Sequence, residues 1–63
     1  MAHRGEELAF CLCGNLEFTI GGKTYVLHGG DSIHFKSSIP HSFRNIGEDQ
    51  AVFVSVVSPP PLS

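Results

Sequence analysis

Gly30-Asp31-Ser32-Ile33-His34-Phe35-Lys36-Ser37-Ser38-Ile39-Pro40-His41-Ser42-Phe43-Arg44-Asn45 joins two short alternating runs through a proline corner. Gly30-Asp31 punctuates the entry, Ile33 and Phe35 alternate with polar neighbours as in a half-buried strand, and residues 37–40 supply a polar bend. Pro40 fixes its own φ and pushes Ile39 toward an extended conformation, so the backbone entering His41 is stiff. A histidine carried on such a corner can be aimed at a fixed point. Metal ligation and acid–base chemistry both need that, because the scaffold must set the orientation of the ring.

Working outward, the same grammar repeats. Residues 7–13 are nearly continuous apolar, with Leu8, Phe10 and Leu12 on one side and Glu7, Ala9, Cys11 and Cys13 on the other. The second row is small residues behind a carboxylate, a pattern that leaves room for a cavity. Gly14 breaks the run. Residues 16–20 alternate with Leu16, Phe18 and Ile20 inward, Gly21-Gly22 reads as a two-residue primed hairpin turn, and residues 23–27 pair back. His28-Gly29-Gly30 turns the chain into a strand at 32–36. A further strand covers 41–45, a turn passes through Gly47, Glu48 and Asp49, and the last strand runs over 50–57. Pro59, Pro60 and Pro61 cannot continue a ladder. The expectation is all-β: an antiparallel barrel or jelly roll of about six strands over residues 1–58, with a proline-rich tail over 59–63 and neither helix nor repeat.

Composition narrows the function. Sixty-three residues form one small domain that is marginal as a solitary monomer. The unpaired sheet edges and the apolar row of Leu8, Phe10 and Leu12 therefore predict a homodimer. A formal charge of −2 with four Lys plus Arg argues against direct nucleic-acid contact. No run approaches the roughly 18 apolar residues of a membrane span, and no secretion signal precedes Cys11 and Cys13, whose spacing would strain a disulfide. These features predict a reduced, cytoplasmic chain.

Three residues carry the candidate chemistry. His3, Glu7 and His41 supply two imidazoles and a carboxylate, the donors of a facial site for a divalent first-row metal with positions left open. Cys11, Tyr25 and Phe43 are the candidate ligand-lining residues, with Arg44 beside Tyr25 at the barrel mouth. His34 alternates out of phase with Ile33 and Phe35 and is read as facing away from them. His28, in a turn beside two glycines, is read as exposed.

His3, Glu7 and Gly14, with three and then six residues between them, resemble the second half of the first conserved motif of the cupin superfamily, and Gly30, His41 and Asn45 resemble the second. The runs His3-Arg4-Gly5-Glu6-Glu7 and Ser38-Ile39-Pro40-His41-Ser42-Phe43-Arg44-Asn45 are similar to the C-terminal sensing domains of bacterial helix-turn-helix repressors, putrescine-responsive ones included. The resemblance implies a cupin barrel that binds a small polar metabolite, with iron, manganese, nickel or zinc as the implied metal. It also marks departures. Met1 stands where the first motif has another histidine, so one of four usual donors is absent. Lys36 and Ser38 replace the usual proline and glycine, and the strands that ordinarily lead into the first motif are missing. Two functions follow: an effector-sensing domain of the kind appended to transcriptional regulators, or a small metal-dependent enzyme such as a dioxygenase or isomerase.

Overall fold

A computed structural model describes residues 5–59. Six strands follow one another: β1 (Glu6–Cys13), β2 (Asn15–Ile20), β3 (Lys23–His28), β4 (Ser32–Lys36), β5 (His41–Asn45) and β6 (Val52–Ser58). They form two three-stranded sheets, in the orders β4-β1-β6 and β3-β2-β5, and every pairing is antiparallel. The all-β, six-strand expectation holds, and there is no helix among the described residues. The last strand starts later than the sequence suggests, at Val52, with Gln50 and Ala51 still in the connection from β5.

Local chemistry explains the connections. Gly21 and Gly22 have φ of +56° and +84°, the two positive values that a primed hairpin turn demands, and they join β2 to β3 within one sheet. Gly14 has the harder task. As the only residue between β1 and β2, it carries the chain from one sheet to the other at φ +89°, and a Cβ there would meet Ala51 at 2.7 Å. Only glycine satisfies both constraints without strain.

The core lies between the sheets. Ala9 and Cys11 point into it from β1, and Leu16, Phe18, Ile20 and Leu27 close it from the other sheet. Phe18 packs with its ring centroid 5.6 Å from both Phe43 and Phe53, and those two meet edge to face at 4.9 Å. The small row of β1 thus faces inward, while Leu8, Phe10 and Leu12 face outward. Register makes this choice collective: a slip of one residue would turn every side chain of β1 to the opposite face.

The proline corner is tied at three backbone points. Gly21 N–H donates to the Pro40 carbonyl (2.9 Å), Ile39 N–H to Lys36 (3.1 Å) and Ser37 N–H to Gly5 (2.9 Å). Ser37 is fully buried within this corner, and its Oγ finds no hydrogen-bond partner among the described residues. A buried hydroxyl without a partner has lost its water and gained nothing in return. Ser37→Ala is therefore expected to raise the unfolding free energy by about 1 kcal/mol, read from urea denaturation. A loss of similar size would show that the hydroxyl is bonded after all.

Candidate functional site

Two strands from different sheets deliver the central pair. Glu7 is the second residue of β1, and its parity in the strand turns the carboxylate inward beside Ala9 and Cys11, leaving the residue 9% exposed. His41 is the first residue of β5, immediately after the tied corner. Its Nε2 stands 3.1 Å from Glu7 Oε2, with the two side chains 20% and 11% exposed, so solvent screens the contact weakly. Cross-strand register builds the surroundings: Phe35 lies directly opposite Glu7 on β4, and Ile20 directly opposite His41 on β2. The Phe35 and His41 rings sit 5.0 Å apart, tilted by 54°.

The hydrogen bonds specify which ring nitrogen does what. His41 Nδ1 lies 2.8 Å from the Ile39 carbonyl oxygen, which can only accept, so Nδ1 carries a hydrogen. Nε2 is left to face Glu7. A bare lone pair against a carboxylate oxygen at this distance would be repulsive, so a proton lies between them, making either an imidazolium–carboxylate pair or a neutral imidazole–carboxylic acid pair. An imidazole anchored through Nδ1–H to a backbone carbonyl, with Nε2 aimed at a second donor, is also the arrangement of a metal-ligating histidine. One proton or one cation can occupy the same gap.

Among the described residues, no group of three His, Cys, Asp or Glu side chains is placed to hold a metal. Glu7 and His41 meet as a pair, and the third expected donor, His3, lies outside the described residues. His34 is exposed and pairs with Glu6 at 3.3 Å, as its phase in β4 predicts. His28 is likewise exposed, and its ring contacts Asn15 Oδ1 at 2.6 Å.

Beside the pair, between β3 and β4, is a recess of about 320 Å³ lined by Ile20, Tyr25, Ile33, His34, Phe35 and Ile39. Its inner wall includes Phe35 and Ile20, the cross-strand neighbours of Glu7 and His41. Tyr25, a predicted lining residue, is part of the wall. Cys11 is instead fully buried in the core, its thiol 3.5 Å from the Cys13 carbonyl. Phe43 packs on Phe18 and Phe53. Arg44 is not at the mouth: it pairs with Glu17 at 2.8 Å on the outer face of the second sheet, because it follows Phe43 and takes the opposite parity. Ile20, Ile33, Phe35 and Ile39 were not singled out from the sequence as lining residues. Only the inter-sheet register brings them together, though the phase of Ile33 and Phe35 already marked them as inward.

The family model for the cupin domain matches residues 1–57. This chain belongs to the cupin family. An uncharacterized protein of Archaeoglobus fulgidus is 43% identical over 58 residues, which is 92% of this chain and 55% of that one. The HTH-type transcriptional regulator PuuR of Escherichia coli is 37% identical over 57 residues, 90% of this cupin and 31% of the regulator. The polyketide synthase CurC of Streptomyces cyaneus is 32% identical over 54 residues, 86% of this cupin and 35% of CurC. The cupin thus spans between about a third and about half of the curated relatives it matches. No solved structure matches it significantly.

If the Glu7–His41 contact is a real energetic unit, the two side chains are not independent. A double-mutant cycle on Glu7→Gln and His41→Ala, read from urea unfolding of all four proteins, is expected to give a coupling of about 1–3 kcal/mol. Additivity of the two single changes would contradict the contact.

Proposed function

We propose that this cupin is a small-molecule-sensing module of the type joined to helix-turn-helix regulators, and that its effector occupies the recess beside Glu7 and His41. The observation that carries the reading is the 3.1 Å contact of the two side chains next to a recess of ligand size. Its volume is at the lower end of small-molecule sites, and Tyr25 offers a hydroxyl on an otherwise largely apolar wall, the mixture by which such sites fix orientation. Similarity to a transcriptional regulator over nine-tenths of this chain supports the sensing role. A polar metabolite with a short apolar body fits this chemistry. Its small size and the anionic balance of the chain support a role in which another part of a regulator meets DNA.

Glu7 and His41 would hold a divalent metal of the iron, manganese, nickel or zinc class, with His3 as the third donor. When bound, such an ion supplies open coordination positions for a polar group of the ligand. A second reading draws on the same observation. A buried acid–base pair beside a recess is also the equipment of a small dioxygenase or isomerase.

The test is metal content and ligand response of the purified chain. One ion per chain, lost in His41→Ala, is the result expected for the metal site. A small polar metabolite from a screening panel, present at a hundred times its dissociation constant, should add about 2.7 kcal/mol, which is a rise in Tm of roughly ten degrees or more for a domain this small. Turnover of such a molecule would favour the enzyme. Absence of any thermal shift across the panel, with or without added metal, would contradict the sensing reading.

A further inference from the structure

The recess beside Glu7 and His41 has a one-sided distribution of free charge. Lys23 opens the inner row of β3, because it stands directly opposite Ile20, just as Tyr25 stands opposite Phe18 and Leu27 opposite Leu16. Residues two apart on a strand share a face. Ile20 and Tyr25 both line the recess, so Lys23 continues its wall by one step. On β4 the matching position is held by Lys36, two residues after the lining residue His34, and its carbonyl accepts the N–H of Ile39, another lining residue, at 3.1 Å. The two lysines mark the same end of the recess. Gly21, in the turn before Lys23, donates its N–H to the carbonyl of Pro40, in the corner after Lys36, at 2.9 Å. Both lysines are exposed, and among the described residues neither is in an ion pair.

Negative charge is arranged differently. No lining residue is an Asp or Glu. The two carboxylates nearest the recess are each engaged by a histidine, Glu6 by His34 at 3.3 Å and Glu7 by His41 at 3.1 Å. Asp31, Glu48 and Asp49 lie in the connections at the opposite ends of β4 and β5 from the proline corner. The unengaged charge at this end of the recess is positive.

We infer that the effector of this recess is an anion, a small carboxylate with a short branched or aromatic body. The apolar body lies against Ile20, Ile33, Phe35 and Ile39, and the carboxylate points to the end marked by Lys23 and Lys36. This rests on the reading of the recess as an effector site and adds the sign of the ligand's charge. A cationic ligand would find the neighbouring carboxylates already held. A phosphate fits less well, because the described residues offer no helix N-terminus and Arg44 is committed to Glu17 on the outer face.

Chemical-shift titrations of the full chain with matched probes test the sign: isovalerate, isovaleramide and isoamylamine, and benzoate, benzamide and benzylamine. Within each set the carboxylate should bind about tenfold more tightly than the amide, with the amine weakest, and its advantage should shrink as salt screens the exposed lysines. Lys23→Gln and Lys36→Gln should each weaken the carboxylate by about threefold to fivefold, and the double variant by about tenfold. Arg44→Gln, which makes the same change in net charge on the outer face, should leave it unaltered. An amine or amide that binds as tightly as its carboxylate overturns the inference and leaves the sensing reading standing, as does a wider panel in which only neutral or cationic molecules bind. Equal losses in Arg44→Gln and the lysine variants would reduce the effect to net charge and overturn it too. Lysine variants that self-associate while binding the carboxylate unchanged would assign Lys23 and Lys36 to protecting strand edges, against the inference. If no member of either set or of the panel binds, the inference and the sensing reading fall together.

Discussion

The contact between Glu7 and His41 is the constraint from which the rest of the site follows. It joins the second residue of β1 to the first residue of β5, in opposite sheets, so it exists only if both sheets hold their register. On one side the small row of β1 leaves space for a carboxylate at the inner face. On the other, Pro40 and three backbone hydrogen bonds fix the corner, and the Ile39 carbonyl fixes the ring. Neither side chain has much freedom left to lose, and a pair already ordered by its scaffold forms at small entropic cost.

The same strand that brings the carboxylate inward also produces the apolar outer stripe. β1 alternates two rows, and both are apolar enough to be buried. Placing the small row inside makes room for Glu7 and the neighbouring recess, and leaves the bulkier Leu8, Phe10 and Leu12 outside. Site and surface are two consequences of one choice of face.

Much of this could be read from the residues. Glycine and proline punctuation placed all six strands, and the bounds of β4 and β5 match the sequence reading because a glycine turn and a proline corner delimit them. Parity placed Ile33 and Phe35 inward and His34 outward. Parity within a strand says nothing about what lies across the sandwich, however, so Arg44 could be set at the mouth although its strand position turns it to Glu17. For the same reason, the convergence of Ile20 and Ile39 with Tyr25 on one recess required the register between β2, β4 and β5. Likeness to the cupin motifs supplied Glu7 and His41 as partners; the backbone then explained why they meet. The third motif residue, His3, lies outside the described residues.

The ring of His41 offers the most direct test of this account. Nitrogen-15 NMR of the imidazoles distinguishes protonated from bare ring nitrogens, and His41 can be assigned by the loss of its signals in His41→Ala. With Nδ1–H held by the Ile39 carbonyl, Nδ1 should be the nitrogen that carries the hydrogen in the folded chain, and in Glu7→Gln the Nε2 resonance should shift while Nδ1 keeps its hydrogen. A neutral His41 bearing its hydrogen on Nε2 with Nδ1 bare, or an Nε2 signal indifferent to residue 7, would contradict the account.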